Sequence, residues 1–287
     1  MHKVAQILTG EQIPKRLRDI KSPPKQLCYL GDLPAILSRP ILAVVGTRKI
    51  TPYGEAVINK LIAPIASRGV VIVSGLALGT DAQAHKTALE SGGTALAILP
   101  TSLDNILPRT NLRLARDIIE TGGALMSEYQ NKAKVNRANF VARNRLVSGI
   151  ADAVLIIEAS AGSHSGTMHT AAYAKEQSKI ILAVPGPITS QASSGPNLLI
   201  KQGAVTVTEP EDILSVLGID NHQEELFAVE GNEEEQIILG LLQNGVSTGH
   251  ELQKQSKLEA AEFQQAITML ELSGRIKSLG NNQWTIV

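Results

Sequence analysis

The chain has 287 residues, of which 43% are apolar, and its 27 Lys and Arg balance 27 Asp and Glu, so a mainly disordered or coiled-coil protein is excluded. Its single cysteine, Cys28, excludes an intrachain disulfide framework and argues against a Cys-based zinc site. No apolar run approaches the roughly 20 residues of a membrane span, and the polar N-terminus is unlike a secretory signal. The sequence therefore predicts a cytoplasmic protein without a membrane partner.

The balanced net charge conceals an asymmetry along the chain. Residues 1–201 hold 23 basic and 13 acidic residues, a net charge of +10, and residues 202–287 hold 4 and 14, a net charge of −10. A basic body joined to an acidic tail indicates a polyanionic partner for the body, without saying which one.

Short apolar runs rich in β-branched residues alternate with helical segments. The predicted strands lie at 41–46, 70–75, 94–99, 153–158, 179–184 and 204–208, and the helical segments at 54–68, 81–92, 110–121 and 168–177. Because the runs lack strict polar–apolar alternation, the strands are predicted to be covered on both faces. The pattern predicts an α/β fold with an open, mostly parallel, doubly wound sheet, whose ligands bind at the carboxyl ends of the strands.

The sequence predicts four segments along the chain. Residues 1–30 are a short N-terminal extension, 31–217 form the sheet domain, 218–232 are an acidic linker, and 233–287 form a small C-terminal domain. The last segment contains three helical patterns and two short strands, which is typical of a winged helix. Its predicted recognition helix has no Arg or Lys between Lys257 and Arg275, so contact with DNA and contact with protein both remain open.

The loop after the first predicted strand is Gly46-Thr47-Arg48. A glycine, a hydroxyl and an arginine before a helix suit a phosphate cradle, although a tight turn with a surface arginine has the same pattern. The dinucleotide pattern GxGxxG and the Walker pattern GxxxxGK[ST] are absent from this loop, which disfavours NAD and ATP. No cofactor is predicted.

The loop after the second predicted strand, 74–81, is rich in small residues that let a ligand or another backbone approach closely. Asp81 and His85 follow it at helical i, i+4 spacing, so they are expected to pair on the helix surface. No nucleophile stands at a defined spacing from His85, and an architectural role is therefore favoured over acid–base catalysis.

A cationic segment, 131–149, surrounds Phe140 and contains no acidic residue. One aromatic ring among cations is typical of a single-strand binder, in which phosphates are neutralised and a base stacks. The alternative is that Phe140 and Leu146 anchor a helix to the core and the cations are a solvated face.

Small residues also follow the strand at 153–158. Ser165 and Thr167 are candidate hydroxyl donors in a second anion-binding turn at the start of a helix. His164 and His169 have a spacing that matches no common zinc pattern, so no metal site is predicted.

Taken together, these motifs resemble the DprA/Smf family of DNA-processing proteins. The segments that carry the resemblance are VGTR at 45–48, SGxAxGxDxxAH at 74–85, PRxN at 108–111, SE at 127–128, FxxRNR at 140–145, EA at 158–159, SGT at 165–167 and VPG at 184–186. The combination of SGxAxGxDxxAH with FxxRNR is far more specific to the family than any single segment.

The resemblance implies an extended Rossmann-like domain with a C-terminal winged helix and no catalysed reaction. It implies a homodimer that binds single-stranded DNA, protects incoming transforming strands and loads the RecA recombinase onto them. In this reading Phe140 stacks on a base, while Asn144 and Arg145 hold the shape of their loop. The predicted DNA-binding residues are Gly46, Thr47, Arg48, Ser74, Gly75, Ala77, Gly79, Asp81, Arg109, Asn111, Lys134, Arg137, Phe140, Arg143, Asn144, Arg145, Ser165, Gly166 and Thr167.

The sequence departs from the family pattern in four places. A helical domain that precedes the fold in many relatives has no counterpart in residues 1–30. Leu107, Val141 and the pair 168–169 replace residues that are usual in relatives, which changes details of the pocket and removes none of its cations.

A different class remains as the alternative, a Rossmann-type nucleotide-processing enzyme related to phosphoribohydrolases of the lysine-decarboxylase-like group. Those enzymes carry PGGxGTxxE, whereas this chain has Thr170 where their carboxylate stands. Without that carboxylate, hydrolysis of a glycosidic bond lacks a required acid–base or ion-stabilising group.

Overall fold

The computed structural model describes residues 5–130, 133, 135–162, 165–219, 232–272, 275–280 and 282–286. The chain divides into two compact units, Met1–Ile219 and Asp220–Val287. Within the described residues no helix is both long enough and apolar enough to cross a bilayer.

The first unit is built on one sheet of nine strands within the described residues. The strands are β1 (Gln6–Thr9), β2 (Gln26–Gly31), β3 (Ile41–Val45), β4 (Val71–Ser74), β5 (Ala95–Leu99), β6 (Ala124–Ser127), β7 (Ala153–Ile156), β8 (Ile180–Ala183) and β9 (Val205–Thr206). The helices are α1 (Lys15–Arg18), α2 (Leu33–Leu37), α3 (Pro52–Ser67), α4 (Thr80–Glu90), α5 (Leu112–Glu120), α6 (Arg137–Ile150), α7 (Gly166–Glu176), α8 (Ser194–Lys201) and α9 (Pro210–Val216).

The strand order across the sheet is β1-β2-β6-β5-β4-β3-β7-β8-β9. Strands β3 to β9 run parallel, whereas β1 and β2 run antiparallel to their neighbours. The chain leaves β3 towards β4 and leaves the adjacent β7 towards β8, on the opposite side. In folds of this kind ligands bind at such a reversal, in the crevice at the carboxyl ends of the two strands, here β3 and β7. The predicted mostly parallel, doubly wound sheet is confirmed.

Strand β3 shows why the predicted strands lack alternation. All five of its side chains are buried, with Ala43 and Val45 in the core on one face of the sheet and Leu42 and Val44 in the core on the other. A strand covered by helices on both faces needs apolar residues at every position.

Three parts of the first unit differ from the sequence-based expectation. Residues 1–30 contribute β1 and β2 to the sheet, with Cys28 paired to Ser127, instead of preceding the fold as an extension. Strand β6 lies outside every predicted strand, since its residues, Ala124–Ser127, include no β-branched side chain. The cationic segment forms helix α6 from Arg137, which begins where the Asn136 side chain accepts a hydrogen bond from Ala138 N (3.0 Å).

The second unit contains three helices and a hairpin within its described residues. They are α10 (Glu233–Gln243), α11 (Gly249–Ser256), α12 (Ala260–Leu272), β10 (Ile276–Gly280) and β11 (Gln283–Ile286). Apolar residues from each helix and from β10, among them Ile238, Leu252, Phe263 and Ile276, form its core. On α12, Glu271 accepts a hydrogen bond from Trp284 Nε1 of β11 (2.9 Å), so this carboxylate ties the helix to the hairpin.

Candidate nucleic-acid interface

The loops that follow β3, β4 and β7 are joined to one another at the carboxyl edge of the sheet. Thr47 N donates to Glu158 O (2.8 Å), and Thr80 N donates to Thr47 O (3.1 Å). The buried carboxylate of Glu158 accepts from both the backbone N and the hydroxyl of Thr51, which caps α3. Sequence reasoning missed Thr51, although a threonine before proline at a helix start is a recognisable cap.

Beneath these loops lie three buried ionisable side chains, Asp81, His85 and Arg143, which we call the polar layer. Only 5% of Arg143 is exposed, and its Nη1 donates to Gly75 O (2.6 Å) and to Ile98 O. A Cβ at position 75 would collide with the guanidinium, so a larger residue there would displace Arg143 from these carbonyls. Burial lowers the pKa of Arg143 to about 10, and the nearby Asp81 opposes this decrease.

Asp81 faces the loop after β4. Its carboxylate accepts from Gly75 N (3.1 Å) and Ala77 N (3.3 Å). Burial raises the pKa of Asp81, and the charge of Arg143 together with these hydrogen bonds acts in the opposite direction.

The expectation that Asp81 and His85 pair on the helix surface is wrong. His85 is fully buried, and neither of its ring nitrogens has a hydrogen-bond partner in the described part of the chain. Burial, reinforced by Arg143, lowers the pKa of His85 to about 3, so the imidazole is neutral at pH 7. Helical spacing placed the two residues on one helix correctly, but that face of α4 packs inwards.

The two residues after Arg143 also bond within the protein. Arg145 forms a bidentate ion pair with Glu128 (Nη1–Oε2 2.7 Å, Nη2–Oε1 2.6 Å) and donates from Nε to Ser22 O (2.8 Å). Asn144 accepts from Arg143 Nε (3.2 Å) and donates to Gly166 O (3.2 Å). Their contribution to DNA binding stays a prediction.

We give the name cationic surface to three predicted residues, the exposed Arg48 and Arg137 and the half-buried Phe140. Arg48 follows β3, and its Cζ lies 5.5 Å from the centroid of the Phe140 ring. Arg137, the first residue of α6, is exposed, and Phe140 is half-buried one turn later. The fold thus brings an arginine from one loop onto an aromatic ring from a distant helix, where a cation–π contact contributes about 0.5–1 kcal/mol at an exposed site.

Several predicted residues shape the loops through small size or internal hydrogen bonds. Gly79 has φ +74°, and a Cβ there would lie 2.5 Å from Thr47 O, so both its conformation and its surroundings require glycine. Gly46 packs against Thr80 just as closely. Ser74 donates to Val44 O (2.6 Å) inside the core.

The remaining predicted residues lie around this centre. Asn111 donates to Leu76 O (2.9 Å) and Ala77 O (3.2 Å), and so fixes the loop after β4. Arg109 is exposed in the turn before α5. Lys134 lies outside the described residues.

Helix α7 begins at the second turn predicted to bind an anion. Ser165 caps the helix by accepting from Met168 N (3.4 Å), Gly166 opens it with no neighbour where a Cβ would stand, and Thr167 is buried. The buried Thr170 donates to Gly166 O (3.3 Å). Among the residues that the structure describes, no three His, Cys, Asp or Glu side chains come close enough to hold a metal ion.

Fold and site together define a class of protein: a Rossmann-like domain with glycine-rich loops at its crevice, followed by a winged helix. The profile of the family described as DNA recombination-mediator protein A matches residues 5–218, and that of the DprA winged helix domain matches residues 226–282. The chain therefore belongs to the DprA/Smf family.

Relatives of known sequence agree with this assignment. The chain is 43% identical over 213 residues to Protein Smf of Escherichia coli, a match that covers 74% of this chain and 56% of that protein. It is 35% identical over 216 residues to DNA processing protein DprA of Bacillus subtilis, covering 75% and 72%. The chain thus spans just over half the length of the Escherichia coli relative.

Two solved structures share the fold. DNA processing protein A of Streptococcus pneumoniae superposes with a TM-score of 0.67 at 34% identity, covering 73% of each chain. The Helicobacter pylori protein superposes with a TM-score of 0.67 at 33% identity, covering 75% of this chain and 96% of that one. The latter structure concerns a single-stranded DNA binding mode of that protein.

Proposed function

We propose that this protein binds single-stranded DNA on the cationic surface and acts in the DNA processing that accompanies transformation or recombination. The observation that carries the proposal is the contact of Arg48 with Phe140 at the carboxyl edge of the sheet. The single-strand binding mode of the Helicobacter pylori relative supports it, as does the excess of basic residues in 1–201.

Two kinds of contact hold the strand in this proposal. Arg48 and Arg137 neutralise phosphates, which is sequence-independent and sensitive to salt. Phe140 provides a ring on which a base stacks, a contribution of about 1–3 kcal/mol per base. The polar layer does not touch the strand and instead sets the shape of the loops that do.

The proposal is of a binding protein and not of an enzyme. Three groups at this edge could transfer a proton, Asp81, His85 and Glu158, yet all are buried, and both carboxylates already accept hydrogen bonds from the protein. General acid–base catalysis needs a side chain within hydrogen-bonding distance of the proton that it transfers. Thr170 cannot supply the carboxylate that the alternative enzyme requires, since its hydroxyl has no acidic proton in the relevant pH range.

The decisive experiment is fluorescence anisotropy of labelled oligo-dT and of a duplex across a salt series. The parent protein should prefer the single strand, and log K should fall with log salt by about 0.7 per phosphate neutralised. Arg48→Gln should reduce the slope of log K against log salt. Phe140→Leu should weaken binding about tenfold and leave that slope unchanged. Lys86→Gln, which removes a cation paired with Glu90 on α4, is the matched control.

Absence of binding at low salt contradicts the proposal. In that case screening with nucleoside phosphates tests the alternative enzyme, because its substrates would occupy the same crevice.

Two finer parts of the proposal come from family membership: loading of the RecA recombinase and homodimer formation. The first predicts a shorter lag in recombinase ATP hydrolysis on single strands that are already covered by another binding protein. Phe140→Leu should restore the full lag, and an unchanged lag with the parent contradicts loading.

Light scattering should give about twice the 30.5 kDa chain mass, and a monomer at micromolar concentration contradicts the dimer.

A further inference from the structure

An open cleft of about 690 Å³ lies beside α6, on the side away from Phe140. Successive helical residues are offset by about 100°, so Ala142 and Arg145, which line the cleft, point roughly 140–160° away from Phe140. The cleft is also lined by the segment before β2, the end of β6 and Tyr173 of α7. Its volume falls within the range of about 300–1,000 Å³ that is typical of small-molecule sites.

Two half-buried tyrosines, Tyr129 and Tyr173, line this cleft. The whole chain has only four tyrosines, so half of them meet in one cleft although they come from separate elements. Within the described residues, neither phenol hydroxyl makes a hydrogen bond. Burial raises the pKa of Tyr129, with Glu128 adding to the effect, so its hydroxyl stays protonated.

The charges around the cleft favour an anion. Glu128 is the acidic residue in its wall, and the bidentate pair with Arg145 neutralises it. Lys25 lines the cleft, is exposed, and forms no ion pair with any described residue. Aromatic rings, free hydroxyl donors and one uncompensated cation together suit a base with its phosphate.

The surface of α6 between Phe140 and the cleft suits the passage of a strand. Arg137, Ala138 and Val141 are exposed there, and Arg137 is the charged residue among them. The distance around the helix is set by its diameter with side chains, about 10–12 Å. A strand stacked on Phe140 can therefore cross the first turn of α6 and reach the cleft with its next few nucleotides.

We propose that the cleft lined by Tyr129, Tyr173 and Lys25 is a second base-binding site for the same DNA strand. This inference rests on the proposed function and extends it, because it sets a minimum strand length for full affinity. Short oligonucleotides reach only Phe140, whereas longer ones reach both sites.

The test compares oligo-dT of about 3 nucleotides, too short to pass from Phe140 around α6 to the cleft, with oligo-dT of about 15 nucleotides by fluorescence anisotropy. Tyr173→Leu should weaken binding of the longer strand about tenfold, which corresponds to about 1.4 kcal/mol, and leave the shorter strand unaffected. Tyr173→Phe keeps the ring and should bind like the parent, which separates stacking from packing. Phe140→Leu should weaken binding of both lengths.

A pair of neighbouring lysines tests the phosphate contact. Lys25→Gln should lower the salt slope for the longer strand, whereas Lys21→Gln should not, because Lys21 pairs with Glu176 (2.7 Å) outside the cleft. Photocrosslinking of an iodouracil-containing 15-mer, followed by mass spectrometry, should label Tyr129 or Tyr173.

The second site is overturned by three results together. The parent binds both strand lengths equally, Tyr173→Leu does the same, and crosslinks form only at residues other than Tyr129 and Tyr173. If Phe140→Leu still weakens binding in that case, the proposed function stands without it. If the parent binds neither length, both proposals fail.

Discussion

The polar layer and the cationic surface lie at the same edge of one sheet, and both depend on α6. Arg143 is buried, bonded to two backbone carbonyls and close to Asp81. Arg137 and Arg48 are exposed, and Arg48 lies on Phe140. Within the described part of the cationic segment, Arg143 is thus buried and holds loops in place, whereas Arg137 is exposed and can meet a phosphate.

This difference changes how loss of DNA binding should be interpreted. Substitution of a residue in the polar layer removes the support of the loops, so binding and stability fall together. Substitution on the cationic surface removes a contact, so binding falls while the free energy of unfolding changes little. Measuring DNA affinity and the free energy of unfolding on each variant therefore tests the division between the polar layer and the cationic surface.

The largest effect is expected at Arg143. Arg143→Met should lower the free energy of unfolding by about 3 kcal/mol, because it leaves two carbonyls and the Asp81 carboxylate without their buried cation. Denaturant unfolding measures this change. Arg48→Met, the same exchange at an exposed position, should cost less than about 1 kcal/mol; equal losses for the two variants contradict the division.

A pH dependence is expected from His85. Its folded-state pKa of about 3 lies below the usual 6.5, so between these values the unfolded state binds a proton that the folded state does not. Stability should therefore fall by up to about 1.4 kcal/mol per unit as the pH decreases from 6.5 towards 3. Asp81, whose pKa is raised, acts with the opposite sign.

The comparison of the parent with His85→Leu isolates the contribution of His85, since Asp81 remains in both. Between pH 6.5 and 3 the variant should lose less stability than the parent. Its stability at pH 7 should be kept, because the imidazole forms no hydrogen bond with any described residue. The same exchange at the exposed His169 is the control. Identical pH profiles for the parent and His85→Leu contradict the predicted dependence.

Two glycines test how tightly the loops are held above the polar layer. Gly79 and Gly92 both have positive φ, +74° and +70°, but a Cβ at 79 meets the backbone of Thr47 and Arg48, whereas one at 92 meets nothing within 4 Å. Gly79→Ala should destabilise the protein by about 1–3 kcal/mol more than Gly92→Ala. Thermal unfolding of both variants measures the difference, and equal losses imply that the loop can yield.

The smallest effect is expected at Arg145. Arg145→Lys keeps the charge and loses the bidentate geometry with Glu128, so stability should fall by about 1 kcal/mol. A larger loss, measured by the same denaturant titration, places Arg145 within the polar layer. No loss places it with the exposed cations.

Much of the fold could be predicted because buried parallel strands leave a strong pattern. The runs at 41–46 and 153–158 contain β3 and β7, the two strands that flank the crevice. Strand β6 and the strands of residues 1–30 could not be found this way. Strands β2 and β6 contain no β-branched residue and β1 is largely exposed, so none of them has the pattern of a buried parallel strand.

The sequence by itself determined which loops carry small residues, which segment is cationic, and that an α/β sheet precedes a winged helix. These properties depend on local composition and period. Only the tertiary structure decided that Arg143 and His85 are buried, that Arg48 lies on Phe140, and that Tyr129 and Tyr173 share a cleft. Burial and contact depend on which faces of separate elements meet, and neighbours in space need not be neighbours along the chain.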